Sequence, residues 1–410
     1  MALERWCCLV LLCAAIGASA QSVPSDGTAG PKLIPRTKAE RETRYAVHHR
    51  ILLTVQVLDA TGHVATGLDA KDFTLKINQE AQTIASFKSV ADGAATAHAF
   101  LVIDKLNNSA RDLAYIRKAI EKLGAGNSGA GNAGAGKAGA GNAGVARPLP
   151  LPTSLVVLTE TGAEVRSASR NAQAIADDLA GVTKNFHLRD CTEEWNNAGL
   201  GKNAAILSPD DDKVFSRPAT AVRISDCLGD KYRLSLTALL EFAHRQENVP
   251  GRAILIWIGP GWPISTGKEF DMETPHVRET YFSTLVDAST RLREGQVTLD
   301  AVSWPSSLPI AKLNASDWPT LMRGTRNAEQ ASAGSIAMPV LAHMSGGQVY
   351  LRGNNLTQEL AACLADGESY YVLGFDSVPS TAPAEFRAIE VTVDKPGYSV
   401  RTNTEYYEQP

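Results

Sequence analysis

An acid at the exit of a buried strand is the first group in this chain with the means to do chemistry. Phe100-Leu101-Val102-Ile103 is a continuous apolar run that delivers Asp104 into the polar loop Lys105-Leu106-Asn107-Asn108-Ser109. In an open α/β sheet, ligands sit at the carboxyl ends of the strands, so a carboxylate there is placed to hold a hard cation through oxygen. The competing use is local. Asp, Asn and Ser side chains also accept from the orphan amides of a helix's first turn. Asp104, Asn107, Asn108 and Ser109 are therefore candidate binding residues and candidate caps at once, while Leu106 offers no donor atom.

Other reactive patterns are broken. Gly261-Trp-Pro-Ile-Ser-Thr-Gly267-Lys268 imitates a phosphate loop, but five residues separate its glycines, Glu269 follows the lysine and Pro263 lacks an amide. Neither a Gly-x-Ser-x-Gly elbow nor a His-Glu-x-x-His helix occurs, and the eight histidines are scattered. No catalytic residue is assigned. The expectation is a non-enzyme, with an extracytoplasmic hydrolase as the rival class.

Aromatics near strand ends are the remaining candidates. Trp257 lies inside an apolar run and reads as core, whereas Trp262 and Trp318 fall in loops and could line a partner-binding rim.

Composition narrows the partners. The chain has 410 residues, 44% hydrophobic and 20% charged, with a formal net charge of -4. That leaves room for a sizeable core and argues against nucleic acid, which needs clustered Lys and Arg. Residues 1–20 read as a signal peptide: Arg5, an apolar stretch from Trp6 to Ile16, then Ala18-Ser19-Ala20. No later segment reads as a membrane span, so a secreted or periplasmic protein is expected. In an oxidising compartment Cys191 and Cys227, which flank a polar insertion, are expected to pair, and Cys363 reads as a buried thiol.

The elements that must position these groups follow from periodicity. Residues 21–44 read as a flexible lead-in and 45–95 as a small β domain, with Leu53, Val55, Val57 and Phe73, Leu75, Ile77 alternating. From residue 97 a βα rhythm begins: a strand to Asp104, then a helix capped by Ser109 with Asp112 at the capping-box position. The Gly/Ala-rich stretch 124–147 reads as a disordered loop and 184–230 as an insertion. Further strands are expected at 155–158, 253–258, 297–302 and 348–351, with helices at 170–180, 231–247, 277–293, 335–344 and 355–365. The main domain thus runs over 97–368, and 369–410 reads as a β extension that either prolongs the sheet or packs on the N-terminal β unit. The fold class is α/β, a doubly wound and mostly parallel sheet with small antiparallel β segments at both ends.

Four short motifs in order carry a family likeness: Val64-Ala-Thr-Gly-Leu68-Asp-Ala-Lys-Asp72-Phe73, Pro250-Gly-Arg252, Met344-Ser-Gly-Gly347 and Ser369-Tyr-Tyr-Val-Leu-Gly-Phe375. Over about 47–407 the chain resembles the von Willebrand factor type A-related secreted proteins of acidobacteria. The resemblance implies a type A domain whose metal motif reads Asp-x-Ser-x-Ser. Asp104 matches its acid, but Leu106 and Asn108 hold the serine positions. Ser235 stands in for a threonine of the next loop, and Gly259-Pro260-Gly261 replaces the acid after the central strand. One charged ligand offsets little of the desolvation of Mg²⁺, so the site reads as degenerate and without a cofactor. The function implied is a protein-interaction or scaffold module of the cell envelope, with an envelope or extracellular protein as partner. Metal-dependent adhesion through Asp104 is its alternative.

Overall fold

The computed structural model describes residues 50–90, 97–125, 147–183, 191, 218–262, 274–304, 318–351 and 355–409. The expected signal peptide and lead-in, and nearly all of the Gly/Ala-rich loop, lie outside them, as does most of the 184–230 insertion.

Four strands open the fold: β1 (Arg50–Leu58), β2 (Phe73–Ile77), β3 (Glu80–Gln82) and β4 (Ser86–Val90). The α/β unit follows, with β5 (His98–Asp104), α1 (Ala110–Gly124), β6 (Thr153–Thr159), β7 (Gly162–Val165) and α2 (Ala172–Thr183). It continues through α3 (Pro218–Gln246), β8 (Ala253–Gly259), α4 (Pro275–Glu294), β9 (Val297–Ser303) and the short α5 (Trp318–Leu321). Helix α6 (Met338–Met344), β10 (Val349–Tyr350) and α7 (Leu356–Ala365) complete it. Strands β11 (Tyr370–Asp376), β12 (Glu385–Val393), β13 (Ser399–Arg401) and β14 (Glu405–Glu408) end the chain.

The central sheet has the order β10-β9-β8-β5-β6-β7. Every pair is parallel except β6 with β7, a hairpin on the edge. Strands β5, β6, β8 and β9 are buried on both faces, which is why they read as mostly apolar runs. In β5, Phe100 and Val102 enter one core with Leu239 of α3, Leu285 of α4 and Leu341 of α6. Leu101 and Ile103 enter the other, with Ile116 of α1, Ile175 of α2 and Leu360 of α7. The strand order reverses between β5 and β8, the switch point at whose carboxyl side doubly wound sheets place ligands.

The two terminal β segments interleave. They build two four-stranded sheets, β13-β1-β11-β4 and β14-β12-β2-β3. Leu53, Val55, Phe73, Leu75, Tyr371, Phe375, Val391 and Tyr406 share one apolar core between them. Of the two arrangements open to residues 369–410, packing on the N-terminal unit is the one adopted. Tyr371 locks it, its hydroxyl donating to Ala65 O at 3.0 Å and accepting from Leu68 N at 3.2 Å. Gly374 is required by close approach, since a Cβ there would stand 2.1 Å from Ser86 Oγ.

Two expectations need correction. Helix α3 begins at Pro218, well before residue 231. Proline suits a helix's first turn, but Arg223, Ser225 and Asp226 dilute the apolar stripe in the sequence. Strands β3 and β4 were not expected, because short edge strands of mostly polar residues carry little periodicity. Cys191 and Cys227 are bonded across 36 residues, which in a chain-entropy treatment contributes about 3–4 kcal/mol. Cys363 is a buried free thiol. Among the described residues no helix is long and apolar enough to cross a membrane.

Candidate functional site

Asp104 ends β5 at the switch point and is 1% exposed. Its Oδ1 accepts from Leu106 N at 3.0 Å, and its Oδ2 accepts from Asn107 Nδ2 at 2.8 Å and Ser235 Oγ at 2.7 Å. Ser235 sits on α3, 131 positions away in the chain, and is fully buried. Burial raises the carboxyl's pKa above its ordinary range, against the opposing hydrogen bonds from Asn107, Ser235 and Leu106.

Asn108 does a different job. Its Nδ2 donates to Asp104 O at 3.0 Å and to Ile258 O at 2.9 Å. Two carbonyl acceptors on one atom fix the orientation of the amide. Asn108 therefore ties the end of β5 to the end of β8, and its Oδ1 is left buried without a partner. The tie explains Gly259, whose φ is +156°: a Cβ there would lie 2.7 Å from Asn108 Nδ2 and 2.9 Å from Oδ1.

Ser109 caps α1 as its type and spacing suggest. Its Oγ accepts from Asp112 N at 3.2 Å and donates to Asp112 Oδ2 at 2.6 Å, while Ser109 N donates to the same oxygen at 2.8 Å. That reciprocal pattern satisfies amides at the helix start.

A divalent cation would have to bridge Asp104 Oδ2 and the Ser235 hydroxyl. Asn107 Nδ2 already contacts both, at 2.8 Å and 3.3 Å. Leu106, between Asp104 and Asn107, offers no oxygen and is buried as core. The oxygen set of one engaged carboxylate, one hydroxyl and one amide does not match the near-octahedral, charge-rich demand of Mg²⁺. Among the described residues no cluster of three or more His, Cys, Asp or Glu could hold a metal.

Trp262, expected on an exposed rim, is buried. Its ring meets Trp257 at 5.3 Å and Tyr232 at 5.5 Å, both edge-on. The three rings pack together in the core on the α3 side of the sheet, and a tryptophan just past a strand can turn inward where a facing helix supplies a ring. The side chain of Trp318 lies outside the described residues. Thus Asp104, Asn107, Asn108, Ser109 and Ser235 converge at one end of the sheet, and Trp262 lies beneath that face.

A second polar cluster, absent from the sequence reading, occupies the amino end of the sheet. Asp366 accepts from Arg401 Nη1 at 2.8 Å and Nη2 at 2.7 Å, and from Gln348 Nε2 at 2.7 Å. Arg252, fully inside, donates to Asp366 O at 2.7 Å and to Thr298 Oγ1 at 3.1 Å. Asp300 accepts from Gln348 N at 2.7 Å and has its carboxyl pushed up to about 7, first by burial and then by Asp366. Charged residues set into or against apolar strands, Arg252 before β8 and Asp300 within β9, were the available signal.

No family model matches the chain, and no curated protein does. Among solved structures the human COPII-coat protein Sec24c is similar at 9% identity and a TM-score of 0.30, over 79% of this chain and 44% of that one. The chain thus spans under half the length of that structure, and a likeness of this degree carries no argument about the fold.

Proposed function

We propose that this chain is a secreted, von Willebrand factor type A-like protein-interaction module of the cell envelope, in which the cation cradle has become a hydrogen-bonded brace. The observation that carries this reading is Asn107 Nδ2, seated on both Asp104 Oδ2 and Ser235 Oγ. The doubly wound strand order supports the type A reading, and the switch point between β5 and β8 supports the location of the face. That face comprises Asp104–Ser109, Gly259–Trp262 and Ser303–Trp304. It engages its protein partner without an ion.

Thermal melting with millimolar Mg²⁺, Mn²⁺ and Ca²⁺ tests the proposal. A cation at a hundred times its Kd would add about 2.7 kcal/mol, so the expected absence of any rise in Tm is a decisive reading. A rise abolished by Asp104→Asn restores ion-gated adhesion. A photo-crosslinking residue at position 105 is expected to capture an envelope protein in the presence of chelator; capture that requires Mg²⁺ would count against the brace.

A further inference from the structure

A candidate opening of a different kind lies in the β-sandwich, far along the chain from the switch point. Strand β12 is flanked by β14 over Glu385–Ala388 and by β2 over Ile389–Val393. Beyond Ile389, β2 has turned away through the two-residue loop Asn78-Gln79. The side of β12 that β2 vacates opens onto a cavity of about 580 Å³ lined by Asn78, Gln79, Arg326, Ala384, Glu385 and Phe386 among others. Its size falls within the range of small-ligand and peptide pockets.

Strand parity says what points into it. Ile389 N donates to Thr404 O, on the β14 side. Ala388 faces the other way: its O accepts from Asn78 N at 3.0 Å, and its N donates to Asn78 Oδ1 at 2.9 Å. Main-chain groups alternate along a strand, so the N–H and C=O of Phe386 point to the same side as those of Ala388. There they meet the cavity in place of a strand. Asn78 and Gln79, with φ of 50° and 71°, and Ala384, with φ of 56°, border this opening. They are three of the four non-glycine residues with positive φ among those described. Those of Asn78 and Gln79 are what the two-residue hairpin between β2 and β3 requires, while that of Ala384 ends the extended run just before β12.

Arg326 brings a cation to the opening. Its guanidinium lies over the Phe386 ring, 5.4 Å from the centroid, and no carboxylate pairs with it among the described residues. Glu385 does not neutralise it, being engaged by Arg387 and Ser380. On adjacent antiparallel strands, directly opposed residues put their side chains on the same face. A residue paired with Phe386 therefore projects onto the face where Arg326 lies.

We propose that this opening binds an extended acidic peptide from a partner protein by strand addition. The peptide's main chain takes up the Phe386 N–H and C=O, and an Asp or Glu opposite Phe386 pairs with Arg326. The full chain labelled with ¹⁵N-phenylalanine, its Phe386 signal assigned with Phe386→Leu, is titrated with the blocked peptide acetyl-Thr-Val-Glu-Val-Thr-amide. The expected result is a saturable shift of the Phe386 amide. Replacing the central Glu by Gln, or Arg326 by Gln, should weaken binding about tenfold, or 1.4 kcal/mol. The Glu-to-Gln change should make little difference in the Arg326→Gln protein, whose melting should be unchanged because Arg326 is exposed. The proposal is overturned by no saturable shift at millimolar peptide, by equal binding of a peptide N-methylated at alternate amides, or by a response to an oligouronate with none to the peptide.

Discussion

The central sheet carries a buried carboxylate at each end, and the two are kept in opposite ways. At the carboxyl end the partners of Asp104 among the described residues are neutral: backbone N–H, a carboxamide and a hydroxyl. At the amino end Asp366 receives a two-pronged guanidinium from Arg401 as well as Gln348. The difference lies in what each joins. Asp104 braces a loop, a helix and a strand end within the α/β unit. The Asp366 cluster is a seam between units: Arg401 belongs to β13, and Arg252 Nη1 reaches Gln56 Oε1 of β1 at 3.5 Å. Charge pairing is spent on the seam, while the acid at the switch point is held by neutral hydrogen bonds.

Removing a charge from the seam should have the largest effect. Arg401→Ala leaves Asp366 buried without its cation and should cost about 3 kcal/mol in a urea melt. Next comes Gly259→Ala, which combines a disfavoured φ with a methyl driven into Asn108; a loss of about 2–3 kcal/mol is expected. Asp104→Asn keeps the shape and one acceptor, so about 1 kcal/mol is expected. A cost for Asp104→Asn equal to that of Arg401→Ala would erase the contrast between the two ends.

The pH dependence sharpens it further. Asp300 is pushed up to about 7 from 3.8, and Glu405 to about 7 from 4.5, burial being the main cause in each. The native state then holds protons that the unfolded chain releases, so these groups favour folding at low pH. That contribution is lost as pH rises from about 4 through about 7. Tm should accordingly be lower at pH 8 than at pH 5.5, and Asp300→Asn should narrow the gap. A gap that stays unchanged in Asp300→Asn assigns the dependence to other groups.

Much of the architecture was legible because it rests on local rules. Continuous apolar runs marked β5, β6, β8 and β9, and Ser109 with Asp112 marked the start of α1 to the residue. Cys191 and Cys227 were visible as a pair from their place around a polar insertion. Less legible were features that depend on a distant partner. Trp262 reads as a loop residue until Tyr232 and Trp257 close on it. The gap beside β12 exists only because β2 ends one residue before its turn, while β12 extends past it.

The linear chain determined the alternation of strand and helix and the poverty of cation ligands around Asp104, since periodicity and side-chain chemistry are properties of neighbours in sequence. Three-dimensional packing alone decided that Ser235 would close over that acid, that the two termini would share one core, and that Arg326 would lie beside an unpaired strand edge. Each of these joins residues tens to hundreds of positions apart, and only the burial of apolar surface on folding brings such residues together.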